Sequence, residues 1–357
     1  MTGVDFEKSF VQFFNASEIS DVKPFGNGHI NDTYLVKTTG EAFIFQKVNQ
    51  NVFDIAALVH NYKILNKFVE AYQREMGISL TPRILTIEIG DYHFIDKDGA
   101  AWRKVEFLPE SKSYDITTDT AISFAAAEAY GKFQVFLNTL DVEQFQDTIP
   151  QFHHLENRMK QFEEALNNAP KNLLDNAAPE IGQVEKFKSV GIAITHLLNT
   201  GKLPLRLSHY DTKLNNIIFH ESQAYVIDLD TVMQGSVLFD FGDMVRTFTS
   251  PAAEDEPDIE KTIFRLSHFE ALTNGYLGVL KNELTATEKQ NLLLGAKAII
   301  YEQALRFLSD YFNGNIYYKT AYPEHNLVRC RTQLKLLEEI FIGESKAVDI
   351  LNKVLNL

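Results

Sequence analysis

The hydrophobic period of this chain changes once, near Pro109, and that change limits what it can fold into. Before it, apolar residues come in short runs: TYLVKT (33–38), AFIFQKV (42–48), PRILTIEIG, DYHFID and, after an Asp98-Gly99 turn, AWRKVEFL. Such runs bounded by turn residues predict strands, and the Asp-Gly step predicts a hairpin. One helix interrupts them over 52–75, where Ile55, Leu58, Val59, Tyr62, Leu65 and Val69 share a face. After Pro109 the helical period takes over, across 121–139, 153–168, 180–200, 258–281, 286–312 and 325–342. One stretch departs from it: residues 204–234 hold the short apolar runs LRLSH, NIIFH and AYVIDLD, separated by polar loops. The expected fold class is therefore α+β in two unequal parts. A small antiparallel-sheet N-lobe takes residues 1–108 and a large helical C-lobe takes 109–357.

The irregular stretch carries the chemistry. It contains His209-x-Asp211-x-Lys213-x-x-Asn216, the order found in the catalytic loop of kinases. In that loop the Asp accepts the proton of the hydroxyl under attack and the Asn binds Mg²⁺. Asp211 is the expected base, and Lys213, two residues on, points the same way toward a transferring phosphoryl group. Asp228 ends the returning run Tyr225-Val226-Ile227, where a second metal ligand is needed, so Asn216 and Asp228 are the expected Mg²⁺ ligands. His209 is expected to bond backbone, Asn215 to form a turn, and Asp230 to sit behind the metal ligands.

A literal D-F-G string, a metal-binding signature in kinases, also occurs at Asp240-Phe241-Gly242. No apolar strand leads into it, and SVLFDFGDMVRTF reads as the start of a helix. Asp240 is expected to be structural, as an N-cap or as a brace for the catalytic loop.

The segments HYDTKLNN, VIDLD and FDFGD resemble the aminoglycoside phosphotransferase and choline kinase superfamily. Within it, the likeness is nearest to the N-acetylhexosamine 1-kinases. PFGNGHINDTYLV, LRLSHYDTKLNNI, IDLDTVMQGSVLFDFGDMVR, RFLSDYFNGNIYY and YPEHNLVRCRTQ carry it, spread from residue 24 to 332. The resemblance implies a protein-kinase-like fold of the aminoglycoside phosphotransferase type. It implies ATP-dependent phosphorylation of the anomeric hydroxyl of N-acetylglucosamine or N-acetylgalactosamine, with ATP and Mg²⁺ as cofactors. By that likeness Arg306 and Tyr317 contact the sugar, and His29 and Asn31, in the N-lobe turn, are further substrate contacts. Gly28 of that turn, Lys47, and Glu106 and Leu108 at the lobe connection are expected at the nucleotide.

Two features depart from the general kinase pattern. The strand position that ordinarily holds a phosphate-binding lysine is Gln46, with Lys47 beside it on the opposite face by strand alternation. No helix glutamate waits to pair such a lysine between Glu41 and Glu70. Read by spacing alone, Arg306 is a surface partner for Glu302 and Asp310 one helical turn away, and Tyr317 is a packing residue after the Asn313-Gly314 turn.

Charge removes other classes. A formal net charge of −14 argues against a nucleic-acid surface, which needs a basic footprint. The single cysteine, Cys330, rules out an internal disulfide and fits a reducing cytoplasm. No apolar run is long enough to span a membrane, and the opening MTGVDFEKSF does not read as a signal peptide. A cytoplasmic enzyme acting on a small sugar is expected, with a monomer preferred among oligomeric states the sequence leaves open. The competing readings are a kinase for another small acceptor (choline, an aminoglycoside, another hexose) and a non-catalytic nucleotide-binding regulator.

Overall fold

The computed structural model describes residues 19–26, 30–87 and 90–357. The chain divides into two compact units, one made of residues 1–112, 143–150 and 219–232, the other of 113–142, 151–218 and 233–357.

The first unit is built on an antiparallel sheet. Its strands are β1 (Ile19–Pro24), β2 (Asp32–Thr38), β3 (Ala42–Lys47), β4 (Ile84–Leu85), β5 (Phe94–Ile95) and β6 (Ala101–Glu106), ordered β1-β2-β3-β6-β4 with β5 also on β6. Two short strands share one edge of β6. β4 pairs with Val105 and Lys104, and β5 with Trp102 and Ala101. Among its described residues, the run PRILTIEIG yields two strand residues, Ile84 and Leu85. Val36, Phe45, Ile87, Phe94, Ala100 and Trp102 form the core on one face. Between β3 and β4, helix α1 (Ile55–Met76) starts on Asp54, whose side chain accepts from the Ala56 and Ala57 amides. It ends at Gly77, whose φ of 69° is costly for a residue with a Cβ. The unit is completed by β9 (Gln223–Val226), the return strand of a hairpin with β8 (Ile217–His220), and by the turn after it.

The second unit is helical. It holds α2 (Thr120–Leu137), α3 (Leu155–Asn168), α4 (Lys171–Asn176), α5 (Ala178–Asn199), α6 (Val237–Thr249), α7 (Leu266–Leu280), α8 (Ala286–Phe312) and α9 (His325–Leu355). A two-stranded ribbon joins β7 (Arg206–Ser208) to β10 (Met233–Gly235). The buried stripe of α8 includes Ile300, Ala304, Phe307, Leu308 and Tyr311, as its spacing predicts. Helix α6 approaches α8 closely at Gly242, where a Cβ would lie 2.6 Å from the Gly295 carbonyl oxygen.

Two helix limits differ from the periodicity. The run 258–281 does not helix throughout: α7 starts only at Leu266, because Arg265 stays extended and its guanidinium donates to the carbonyls of Thr117, Phe248, Thr249 and Ser250. Helix α9 continues past residue 342 to Leu355, where Ala347, Leu351 and Leu355 are buried. Among the described residues no helix is long and apolar enough to cross a membrane.

Candidate active site

In the second unit, β7 delivers the chain into His209, Tyr210 and Asp211. Tyr210 takes φ 64°, a left-handed conformation that costs a non-glycine residue about 1–2 kcal/mol. It is held on every side. Its amide donates to Asp240 Oδ1 at 2.8 Å, and the His209 amide to Asp240 Oδ2 at 2.9 Å. Its carbonyl accepts from His153 Nε2 at 3.0 Å, while His153 Nδ1 donates to Glu302 Oε1 at 3.0 Å. Its hydroxyl accepts from the Ser236 amide at 3.2 Å. The ring lies against Gly235, where any Cβ would fall 1.6 Å from the tyrosine oxygen.

Asp240 therefore braces the loop, as expected of it. It is not an N-cap, since Ser236 caps α6 by accepting from the Leu238 amide. Thr212 Oγ1 adds a bond to the Asp240 carbonyl. Burial, together with the nearby Asp243 charge, pushes the Asp240 carboxyl up to about 7, although the two backbone amides pull the other way. His209 keeps to a backbone role: its Nδ1 accepts from the Asp211 amide at 3.2 Å.

The motif's polar side chains converge on Asp211. Lys213 Nζ stands 2.9 Å from Asp211 Oδ2. Asn216 Nδ2 donates to the same oxygen at 2.9 Å and to the Asp211 carbonyl at 2.8 Å. Burial pushes the Asp211 carboxyl up, but the Lys213 ammonium, with help from His209 and Arg246, outweighs it and holds the group below its usual range. Asp211 is thus an ionised acceptor at neutral pH. Asn216, having used its amide nitrogen on Asp211, presents Oδ1 as its remaining donor atom for a cation. Asn215 instead reaches Asp115 at 2.9 Å.

Arg306 and Tyr317 are brought together. Arg306 Nη2 donates to Tyr317 Oη at 3.4 Å and Nη1 to Gln303 at 3.0 Å. Its guanidinium lies over the rings of Phe152, Tyr317 and Tyr318, between 5.2 and 5.6 Å from their centres. The ion pairs offered by helical spacing do not form. Glu302 is taken by His153 and Arg158. Asp310 accepts from the amides of Ile316, Tyr317 and Tyr318 and from Asn326, pinning the loop that presents Tyr317. Among the described residues no carboxylate lies within salt-bridge distance of Arg306. Phe152 and His153 adjoin in sequence, so the Arg306 stack and the clamp on Tyr210 share one short segment.

In the first unit, Asp228 follows β9 with φ 62° and opens the 3₁₀ turn Leu229–Thr231. Its side chain is 38% exposed, and that of Asp230 is 1% exposed. Asp230 Oδ1 accepts from the Tyr62 hydroxyl and Arg103 Nη1, and Oδ2 from Asn31 Nδ2 at 2.8 Å. Its carbonyl accepts from Thr148 Oγ1. These contacts bury Asp230 and leave the Asp228 side chain the more exposed of the two. They also use the amide nitrogen of Asn31, whose Oδ1 accepts from the Asn49 amide at 3.0 Å. Asn31, expected at the substrate, is buried with both ends of its amide engaged.

Gln46 accepts from Arg103 Nε at 2.7 Å, and its own nitrogen donates to Thr33. Lys47 pairs in register with Trp102, and its charge acts on Asp96, on the face away from Gln46. The structure therefore does not bring Lys47 to the side of the sheet that holds Arg103 and Asp230. Glu106 is committed to Arg83, with contacts at 3.0 and 3.3 Å. Leu108 accepts from the Ser111 amide at 3.4 Å through its carbonyl. Gly28 and His29 lie outside the described residues. Arg103 and His153 were not singled out from the sequence, and Tyr62 and Glu302 entered it only as a helix-face residue and an ion partner of Arg306. Counting the β3–β6 register would have found Arg103, because it stands directly opposite Gln46.

Among the described residues no cluster of three or more His, Cys, Asp or Glu is placed to hold a metal by itself. Asn216 Oδ1 in the second unit and the exposed Asp228 carboxylate in the first are each oxygen donors of the kind Mg²⁺ takes.

An antiparallel-sheet part followed by a helical part, with a loop carrying this motif, has the make-up of a kinase-like phosphotransferase fold. A model of the phosphotransferase enzyme family matches residues 21–268, and the chain belongs to that family. Solved structures share the fold. A microcompartment-associated aminopropanol kinase is 14% identical with a TM-score of 0.63, over 96% of this chain and 98% of that one. A spectinomycin phosphotransferase, seen with ADP and spectinomycin, is 11% identical with a TM-score of 0.59, over 100% and 99%. A choline/ethanolamine kinase family protein from Mesorhizobium loti is 13% identical with a TM-score of 0.54, over the whole of both chains. An amicoumacin kinase of the same fold is seen with AMP-PNP and Ca²⁺. ATP and a divalent metal are the cofactors expected of this family.

Proposed function

We propose that the protein transfers the γ-phosphoryl group of ATP to the anomeric C1 hydroxyl of an N-acetylhexosamine, giving the sugar 1-phosphate and ADP. The observation that carries this is the Arg306–Tyr317 stack. A guanidinium that makes no salt bridge among the described residues, with only the more distant Glu302 carboxylate acting on it, and that is set among aromatic rings, suits a neutral acceptor rich in hydroxyl and carbonyl oxygens. It repels a quaternary ammonium or a polyamine. Family likeness in RFLSDYFNGNIYY points the same way.

In this reading residues 1–108 bind the nucleotide and 109–357 hold the sugar and the base. Asp211 accepts the hydrogen bond of the sugar hydroxyl and takes its proton late, which suits a carboxylate of low basicity and a loose transition state. Lys213 orients that carboxylate and faces the transferred group. Asn216 and Asp228 hold Mg²⁺, which neutralises phosphate charge. His29 remains a contact to sugar or phosphate and Gly28 to the nucleotide, with Glu106 and Leu108 flanking the adenine through their backbone. A cytoplasmic setting accords with the lone buried thiol of Cys330.

The alternative acceptors are amino alcohols and aminoglycosides, by analogy with what the fold relatives phosphorylate. A panel of N-acetylglucosamine, N-acetylgalactosamine, glucose, choline, ethanolamine, 1-amino-2-propanol and spectinomycin, read by ADP release, separates them. The expected result is turnover on the two N-acetylhexosamines. Turnover on an amine with none on those sugars overturns the proposal, and no turnover on any acceptor favours a regulator.

A further inference from the structure

The peptide that joins Tyr210 to Asp211 is gripped at both ends. Its amide donates to His209 Nδ1 at 3.2 Å, and its carbonyl faces His153 Nε2 at 3.0 Å. Because a peptide is planar, its orientation sets the direction in which the Asp211 side chain leaves the chain. A carbonyl oxygen only accepts, so His153 Nε2 carries a hydrogen. Nδ1 stands 3.0 Å from Glu302 Oε1, and Arg158 Nε is 3.7 Å from the same oxygen. Burial pushes the Glu302 carboxyl up, but the His153 charge and hydrogen bond, with the Arg306 and Arg158 guanidiniums, outweigh it and hold the group below its usual range. Ionised, Glu302 accepts from Nδ1. A ring that donates at both nitrogens is cationic, which strengthens its bond to the carbonyl. The side chains of His153 and Glu302 are 5% and 0% exposed. A buried ion pair of this kind adds little to stability over apolar residues of the same volume. Apolar residues would leave the Tyr210 carbonyl without this donor.

We propose that His153 is a positioning residue: oriented by Glu302, it holds the Tyr210 carbonyl and so aims the Asp211 carboxylate at the hydroxyl it serves. Asp240 fixes the amides of His209 and Tyr210, and His153 fixes the peptide that follows, so the two act on successive planes of the loop. The imidazole cannot turn away without giving up both bonds, because Phe152 adjoins it at 4.2 Å and Phe239 stacks on it at 5.3 Å between ring centres.

The inference rests on reading Asp211 as the base, and the test separates the two. On the full-length protein, kcat and KM for ATP are measured with N-acetylglucosamine, or with whichever acceptor of the panel is turned over. An asparagine amide reaches where Nδ1 lies, and a glutamine amide where Nε2 lies. His153→Asn keeps only the Glu302 contact and is expected to lower kcat by about 10²-fold, with KM for ATP unmoved. His153→Gln keeps a donor for the Tyr210 carbonyl and should recover about tenfold of that loss. An unchanged kcat in a folded His153→Asn protein overturns the proposal. So does an equal fall in both variants, which would mark a merely structural role. Nitrogen-15 NMR of the histidine-labelled parent gives a readout that needs neither turnover nor a folded variant. The ring in contact with Phe239 should bear a proton on Nε2, and a bare Nε2 overturns the proposal. Asp211→Asn is the control. If it lowers kcat while His153→Asn keeps it, only the role of His153 fails. If Asp211→Asn leaves kcat near normal, the base reading fails and the proposal with it.

Discussion

The loop 209–216 and the turn 228–231 each place a non-glycine residue in the left-handed region, Tyr210 at φ 64° and Asp228 at φ 62°, and each lies beside a buried aspartate. The two aspartates work differently. Asp240 takes backbone amides, from His209 and Tyr210, so it fixes a main-chain path whatever side chains the loop carries. Asp230 takes side-chain donors from three elements, Asn31 before β2, Tyr62 on α1 and Arg103 on β6. The first device gives rigidity, as the proposed base Asp211 would require to accept one proton at one place. The second makes the position of Asp228 depend on how those elements stand. Asp211, the proposed base, is expected to be insensitive to substitutions away from its clamp, and Asp228, the proposed metal ligand, to respond to several distant ones.

Breaking the base side gives the largest effect. Asp211→Asn keeps an acceptor for Lys213 and Asn216, so thermal unfolding should not move, while kcat falls by about 10²–10⁴-fold. A near-normal kcat would contradict its role as base.

Removing the clamp comes next. Asp240→Ala leaves two buried amides without acceptors, at about 1–3 kcal/mol each, measured by denaturant unfolding. The same residue gives a pH signature. Its carboxyl, raised from 3.8 to about 7, binds a proton more tightly folded than unfolded. Stability is therefore expected to decrease as pH rises through that window and to level off above it. Activity runs the other way, because only the ionised carboxylate accepts both amides, so kcat should rise through about pH 7. Asp240→Asn should flatten both profiles, and a kcat limb that survives the substitution assigns it elsewhere.

Arg306→Met sharpens the acceptor side. Loss of a charged hydrogen bond of about 1.5–3 kcal/mol should raise KM for the sugar by about tenfold or more, with KM for ATP unmoved. An equal rise in both would detach Arg306 from the acceptor. The smallest effect is expected of Glu106→Gln. Its pair with Arg83 has side chains 30% and 49% exposed and is worth at most about 1 kcal/mol. Since adenine contacts at the lobe connection are read as backbone contacts, KM for ATP should not change.

The parts of the site that lie close in sequence were legible there. Asp211, Lys213 and Asn216 sit within one turn of irregular chain, so their spacing already places them together, and their side chains do meet. The bracing function of Asp240 was legible because no strand leads into its D-F-G string. What stayed hidden depends on pairing between distant segments. Arg103 is 57 residues from Gln46, and no local pattern announces that they face each other. The reach from His153 to Glu302, and Asp310's capture of the Tyr317 loop, were invisible for the same reason. Spacing along α8 instead offered Arg306 two ion pairs that tertiary contacts take away. Helix limits failed where a side chain outbid the helix, as Arg265 does before α7.

The most direct test of the account is where the phosphoryl group goes. The protein, ATP, Mg²⁺ and N-acetylglucosamine are incubated, and the product is examined by phosphorus NMR with proton coupling. A single sugar phosphate resonance coupled to the anomeric proton is the predicted result. Coupling to the C6 protons, or ADP formation that does not depend on the sugar, would contradict it.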